Sequence, residues 1–141
     1  MYKHDSLPEF MSQSLLLPNY CVRTTKKNGK DQIGLFTLDN IQQHETLFHL
    51  EGKIIESPTK YTIQINKNKH IEDKHVGYMN HSCDPNTQLY NLTMVAIRFI
   101  PAGQELTFNY NQTEDQLISP FKCSCCGQRI EGKLLSKEVL I

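Results

Sequence analysis

The strongest constraint on the fold is the stretch Asn80 to Asn86, NHSCDPN, which lies between apolar, strand-like runs. Asp84-Pro85-Asn86 is typical of a turn, so a well-capped turn is one interpretation. Asn80 to Cys83, however, occupy positions where an ordinary β-protein places apolar residues or glycine. Side chains that can hydrogen-bond must find partners when they enter a core. A ligand that supplies the missing partners is the alternative interpretation.

The rest of the chain predicts a mostly-β fold with many short strands and little helix. Turn signals occur in NKNK and in PAG, where proline precedes glycine. One short stretch, TEDQLIS at 113–119, has a helical pattern. The strand-like runs are IGLFTL (33–38), TLFHLEGKII (46–55), YTIQI (61–65), TQLYNL (87–92), MVAIRFI (94–100) and ELTFNY (105–110).

A second motif, RFIPAGQELTFNY at 98–110, appears downstream of NHSCDPN. Together the two resemble the SET domain of protein lysine methyltransferases, whose signature segments have this order and separation. The segments IGLFTLDNIQQHETL, TKYTIQINKNKHIE and FKCSCCG extend the resemblance over roughly residues 20 to 132. It divides the chain into an amino-terminal arm (1–19), a SET domain (20–112) and a post-SET-like tail (113–141).

The resemblance implies several small β-sheets and a carboxy-terminal pseudoknot that brings Asn80 and His81 beside Tyr110. It also implies S-adenosylmethionine as cofactor and a protein lysine as methyl acceptor, by direct in-line displacement. Tyr110 is the expected catalytic residue, because its hydroxyl would orient the lysine nitrogen and accept weak C–H···O contacts from the methyl group. Its alternative role is that of a packed core aromatic.

Five further residues are expected to bind the cofactor by resemblance, together with His81. They are Gln32, Ile33, Gly34, Tyr61 and Asn80. A glycine at position 34 would allow the backbone to lie close to the cofactor. The chain departs from the family pattern at Gln32, where a second glycine is usual, and this weakens the expected close approach.

Phe108 and Tyr61 are expected to line the substrate channel. Phe108 precedes Tyr110 by two positions, which places both on one face of an extended strand. In the family, tyrosine at this position favours a single methylation, so Phe108 predicts di- or trimethylation. Core packing is the alternative role of both Phe108 and Tyr61.

The cysteines raise the question of a zinc site. Cys83, Cys123 and Cys125 match ligand positions of post-SET zinc sites, but Ile130 replaces the usual third cysteine of the tail. Cys126 lies directly beside Cys125, and two adjacent thiolates are difficult to direct at one tetrahedral ion. A metal-free lid over the cofactor is therefore the alternative to zinc.

The chain has 15 basic and 15 acidic residues and five cysteines, an odd number. The zero net charge predicts neither direct nucleic-acid binding nor membrane association. The cysteine count and the lack of a signal pattern predict an intracellular location, in cytoplasm or nucleus, with signal-independent export left open.

The expected partner is a protein that presents a lysine, with a histone tail as the natural candidate. The segment NKNKHIEDKHV is too short to form much of the wall of a substrate groove. The domain is therefore expected either to complete the groove as a homodimer or to be loosely selective. Two other function classes stay open. One is a non-catalytic SET-like peptide-binding module, and the other is a thiol enzyme that pairs Cys83 with His81.

Overall fold

The computed structural model describes residues 19–27, 29–123 and 126–133. The expected amino-terminal arm lies outside the described residues except for Asn19, and so does Cys125. Among the described residues no helix is both long and apolar enough to cross a membrane.

Twelve short strands dominate the part of the chain that the structure describes, so the mostly-β prediction is confirmed. They are β1 (Tyr20–Lys27), β2 (Lys30–Thr37), β3 (Thr46–His49), β4 (Gly52–Ile55), β5 (Ile63–Asn66), β6 (Lys69–Asp73), β7 (Asn80–His81), β8 (Thr87–Tyr90), β9 (Thr93–Ala96), β10 (Thr107–Phe108), β11 (Phe121–Lys122) and β12 (Arg129–Ile130). Among the described residues, a 3₁₀ helix spans Val76–Tyr78 and the α-helix α1 spans Tyr110–Thr113.

The strands form five small sheets. Two have three strands, in the orders β3-β9-β8 and β4-β6-β5, and the others are the pairs β1-β2, β7-β10 and β11-β12. The predicted hairpin at NKNK joins β5 to β6, and Asn68 adopts the left-handed φ of 54° in its turn. Asparagine tolerates this conformation better than most residues.

Two predicted strands are shorter than their apolar patterns indicate. The run 46–55 is divided into β3 and β4, where the backbone N–H of Glu51 donates to Oδ2 of Asp73 at 2.9 Å. Gly52 follows with a φ of 153°, and a Cβ there would lie 1.9 Å from the carbonyl oxygen of Glu72. A glycine is therefore required at this change of direction.

The run 105–110 gives only β10 before α1 begins at Tyr110. The side chain of Asn109 accepts a hydrogen bond from the N–H of Asn111 at 2.9 Å, which caps the helix. Phe108 and Tyr110 are therefore not on one strand face, and that prediction is wrong. The predicted helix at 113–119 is also wrong, because α1 ends at Thr113.

The pair β7-β10 positions the site. The two strands run parallel, with Asn80 opposite Thr107 and His81 opposite Phe108. The N–H of Ser82 continues the pairing to the carbonyl oxygen of Phe108 at 3.1 Å. Sequence-distant segments are thus joined in the interior, as the expected pseudoknot topology requires.

Candidate functional site

His81 and Tyr110 are in direct contact. The backbone N–H of Tyr110 donates to Nδ1 of His81 at 3.1 Å, and their ring centroids are 5.3 Å apart. Strand β7 fixes His81, and the start of α1 fixes Tyr110 immediately after β10. The expected meeting of the two motifs is confirmed.

The Tyr110 hydroxyl donates to the carbonyl oxygen of Met79 at 2.6 Å, and the side chain is buried. A phenol has one proton to donate and two lone pairs that accept. Because the proton is directed at Met79, the oxygen can act toward a ligand as an acceptor. This is the property that a group facing a polarised methyl or an amine N–H needs.

His81 is neutral and its tautomer is fixed. Burial lowers the pKa of the imidazole to about 4. Nδ1 accepts from a backbone N–H, so the ring proton of the neutral form is on Nε2. Nε2 lies 3.4 Å from Sγ of Cys83 and donates toward it. His81 therefore has no basic nitrogen directed at Cys83, which removes the base that a thiol enzyme would need.

Asn80 is 1% exposed and its amide is hydrogen-bonded within the protein. Its Nδ2 donates to the carbonyl oxygen of Ile33 and to Oε2 of Glu105, both at 2.7 Å. Its Oδ1 accepts from Nε2 of Gln32 at 3.2 Å. The protein itself supplies these partners, so the amide of Asn80 needs no ligand to satisfy its hydrogen-bonding groups.

Glu105 is the centre of this network. A Cβ added at Gly34 would lie 2.5 Å from Oε2 of Glu105, so the glycine leaves the space that this carboxylate occupies. The carbonyl oxygen of Glu105 accepts from Nδ2 of Asn86 at 2.8 Å, and Oδ1 of Asn86 accepts from the N–H of Thr107 at 3.0 Å. Asn80 and Asn86 thus hold the two motifs together, and Gly34 leaves room for the Glu105 carboxylate. The cofactor contact of Gly34 stays a prediction.

A cleft opens beside the catalytic candidate. Phe108 and Tyr110 line it, with ring centroids 4.9 Å apart, so the expected channel residue lies beside the expected catalytic one. Tyr61 is half-buried against the core. Its two neighbours in sequence, Lys60 and Thr62, line the cleft. The described lining residues are Pro58, Thr59, Lys60, Thr62, Val76, Phe108, Tyr110, Glu114, Gln116, Leu117, Ile118 and Ser119.

Three thiols gather next to His81. Sγ of Cys83 lies 3.4 Å from Sγ of Cys123 and 2.9 Å from Sγ of Cys126. Tetrahedral zinc with Zn–S bonds of about 2.3 Å separates its sulfur ligands by roughly 3.8 Å, so small shifts would let these thiols share an ion. Nε2 of His81 also lies within 4.8 Å of the sulfurs of Cys83 and Cys123, but its proton makes it unsuitable as a ligand. The predicted ligand Cys125 lies outside the described residues.

Four residues of the site were not assigned there from sequence. They are Glu105, Glu114, Phe121 and Cys126. The ring of Phe121 packs edge-on against His81 and Tyr110, with centroid distances of 5.7 and 6.0 Å. The pattern FKC contained no signal for this contact, because it depends on how the tail folds back over the two motifs. For Glu105 a signal was available, because a charged residue that begins a buried strand-like run, ELTF, needs polar partners inside the protein.

The comparisons with known proteins agree with this geometry. A family model described as the SET domain matches residues 32–111. The chain is 33% identical over 131 residues to a variant-silencing SET domain-containing protein of Plasmodium falciparum (isolate 3D7), covering 71% of this chain and 5% of that protein. It is 32% identical over 116 residues to the histone-lysine N-methyltransferase SUV39H1-A of Danio rerio, covering 67% of this chain and 28% of that protein.

Solved structures agree at the level of the fold. The crystal structure of KRYPTONITE in complex with mCHH DNA, an H3(1-15) peptide and SAH superposes with a TM-score of 0.58 at 18% sequence identity. The match covers 79% of this chain and 29% of that chain. The chain thus spans less than a third of the length of each protein compared.

Proposed function

The chain belongs to the SET-domain family, and from that premise we propose that it transfers methyl groups from S-adenosylmethionine to lysine side chains of proteins. The observation that carries the proposal is the parallel pair β7-β10, which holds His81 against Tyr110 beside an open cleft. The names of relatives add support, since one is a histone-lysine N-methyltransferase.

The cofactor would lie against the first motif and the residues that hold it. When bound, it supplies a methyl group on a sulfonium, so the protein's task is to bind, orient and exclude water. The rings of His81, Tyr110 and Phe121 meet edge to face, which suits stacking against a flat adenine ring. The predicted binding residues Gln32, Ile33, Gly34, Tyr61, Asn80 and His81 complete the proposed set.

Tyr110 orients the acceptor in this proposal. Its oxygen, with the proton directed at Met79, accepts from the amine N–H and from the C–H groups of the methyl. Each such contact is weak, so the hydroxyl contributes mainly to orientation. Phe108 gives the channel an apolar wall without a hydroxyl, which leaves room for an amine that already carries a methyl group.

The lysine must reach the site as a neutral amine. From a reference pKa of about 10.4, deprotonation costs roughly 4 to 5 kcal/mol at pH 7. An apolar channel lowers the pKa of an enclosed amine, because burial disfavours its charged form. The buried rings of Phe108 and Tyr110 supply such walls.

Zinc is the second proposed cofactor. Cys83 and Cys123 would hold it with Cys126, the third described thiol within reach, and Cys125 stays a predicted ligand. The metal would tie the tail to the first motif and so fix Phe121, two residues before Cys123. A metal-free cluster of reduced thiols is the alternative.

The proposed partner is a protein substrate, with a histone tail as the candidate. The short segment between β5 and β7 supports the proposal that a homodimer completes the groove or that selectivity is loose. Sedimentation at assay concentration tests the homodimer, because a monomer at that concentration would contradict it. We keep direct nucleic-acid binding and membrane association outside the proposal, and we propose an intracellular location.

Calorimetric titration with S-adenosylmethionine tests the donor half of the proposal. We expect one saturable site per chain and a weaker affinity in Phe121→Ala, which removes one proposed stacking ring. Phe99→Ala, an exposed phenylalanine, is the matched control and should bind as the wild type does. Absence of binding heat in the wild type, at several temperatures, contradicts the proposal. Binding without methyl transfer would favour the peptide-binding module.

A further inference from the structure

The cleft beside Tyr110 contains an acidic group that the proposed transfer does not use. Glu114 follows α1, and its N–H donates to the carbonyl oxygen of Tyr110 at 2.9 Å. The carboxylate is therefore one helical turn from the proposed catalytic residue. Among the described residues that line the cleft, Glu114 is the only acidic one.

Glu114 is buried although it carries a carboxylate. It is 7% exposed, and Oε2 accepts from the N–H of Gln64 and the hydroxyl of Thr113, both at 2.8 Å. Within the described part of the chain, Oε1 accepts no hydrogen bond. Burial raises the pKa of Glu114, which expresses the cost of holding this charge away from water.

Within residues 19–27, 29–123 and 126–133, Glu114 forms no ion pair. The ammonium of Lys133 pairs with Oδ1 of Asp115 at 3.4 Å and attracts the Glu114 carboxylate from farther away, which lowers its pKa against the larger effect of burial. The cationic side chain in the cleft lining, that of Lys60, is exposed. A buried carboxylate without an ion pair is costly, and a cation that enters the cleft would offset that cost. The cleft thus favours a ligand with a positive charge.

The position of the cleft indicates which ligand this is. None of the expected cofactor residues of the first motif and of β2 is among the described lining residues, whereas the expected channel residue Phe108 is. Glu114 therefore lies on the side of Tyr110 where an acceptor would enter. It lies away from the motif expected to hold the donor.

We propose that Glu114 binds the ammonium group of the incoming substrate lysine and positions it at the mouth of the channel beside Tyr110. The inference rests on the proposed function for the identity of the substrate. The chemical class of the ligand, a primary alkylammonium, follows from the buried carboxylate and the apolar walls of the cleft.

The test uses n-butylammonium as a mimic of the lysine side chain and n-butanol as its neutral analogue. Each is titrated into the full chain, in the presence of S-adenosylhomocysteine, while amide NMR signals around Tyr110, Glu114 and Leu117 are followed. We expect n-butylammonium to bind at least tenfold more tightly than n-butanol. Equal affinities overturn the proposal, and this comparison needs no variant.

Glu114→Gln provides the variant, because its amide oxygen can still accept from Gln64 and Thr113 while the charge is lost. The control is Glu56→Gln, an exposed carboxylate that does not line the cleft. We expect Glu114→Gln to weaken n-butylammonium binding at least tenfold and to leave n-butanol binding unchanged. Glu56→Gln should bind both probes as the wild type does. Unchanged n-butylammonium binding in a folded Glu114→Gln protein overturns the proposal.

Two further readouts separate this inference from the proposed function. Calorimetric affinity for S-adenosylhomocysteine should be the same in the wild type and Glu114→Gln. A selective loss of that affinity assigns Glu114 to the cofactor's own ammonium and overturns the proposal. With a methylated protein substrate, Glu114→Gln should raise KM more than it lowers kcat. Absence of methyl transfer by the wild type contradicts the proposed function, whereas the n-butylammonium titration decides the role of Glu114 independently.

Discussion

The backbone N–H of Tyr110 donates to Nδ1 of His81 at 3.1 Å, although 29 positions separate the two residues. This bond fixes the imidazole tautomer and aligns the first residue of α1 with strand β7. It also links the chemistry of the site to its stability, because protonation of Nδ1 would place two donors face to face.

We expect His81 to stay neutral well below the usual range of a histidine. Its folded pKa of about 4 lies below the unfolded value of about 6.5. Between these values the unfolded chain binds a proton that the folded chain does not. The stability contributed by neutral His81 is thus present above about pH 6.5 and is lost as the pH falls toward 4.

NMR titration of the imidazole signals from pH 8 to pH 5 checks this expectation. The His81 signal should stay nearly constant over this range, while free imidazole added to the sample serves as a titrating reference in the same spectra. A His81 signal that titrates with a midpoint near 6.5 would contradict both the burial and the Tyr110 hydrogen bond.

Gly34→Ala should destabilise the fold, because the new Cβ would lie 2.5 Å from Oε2 of Glu105. Overpacking of this kind costs about 1–3 kcal/mol. Urea unfolding gives the free energy of unfolding. Gly29→Ala gives a comparison of a different kind, because its Cβ meets nothing within 4 Å and its cost comes from a left-handed φ of 76°. A Gly34→Ala protein as stable as the wild type would show that Glu105 does not require the glycine.

Phe108→Tyr should shift the products toward monomethyl-lysine. The added hydroxyl would enter the cleft beside the Tyr110 ring, whose centroid is 4.9 Å from that of Phe108. It would fill the space that a methylated amine needs. Mass spectrometry of the methylated substrate gives the product ratio, and Phe99→Tyr is the exposed control. An unchanged ratio of mono- to higher methylation would refute the channel role of Phe108.

Cys126→Ser should lower the zinc content of the protein if the thiol cluster binds the metal. Native mass spectrometry of the wild type should detect about one zinc ion per chain, and a chelator should lower the Tm. Cys21→Ser is the control, because Cys21 lies in β1 and outside the cluster. A wild-type protein that binds no zinc at neutral pH would favour the metal-free lid.

The mostly-β fold and the meeting of the two motifs could be predicted from sequence, because motifs such as NHSCDPN and ELTFNY are long and specific. The ends of strands could not. Apolar residues at 46–55 and 105–110 suit an extended chain, but a bond from Glu51 to Asp73 and the Asn109 cap interrupt the strands. The residues that make such tertiary contacts do not recur at a regular spacing in the sequence, so periodicity cannot reveal them.

The candidate site could be predicted only in part, because its tertiary contacts also leave no pattern in the sequence. Asn80 and His81 were identified by type, but their partners come from distant positions, as Gln32 and Glu105 show. Glu114 has no motif of its own, and its burial depends on how the chain after α1 packs against β5. The sequence predicted site residues within the motifs, and the structure shows what those residues contact inside the protein.

The central claim is tested most directly by incubation of the protein with labelled S-adenosylmethionine and a mixed protein extract, followed by mapping of the modified residues. The wild type should label lysines, and Tyr110→Phe should lose at least about 100-fold of the rate, roughly 2.7 kcal/mol of barrier. Tyr90→Phe, an exposed tyrosine, should label as the wild type does. Undiminished lysine labelling by folded Tyr110→Phe, or no labelled lysine with the wild type in any extract, would contradict the account.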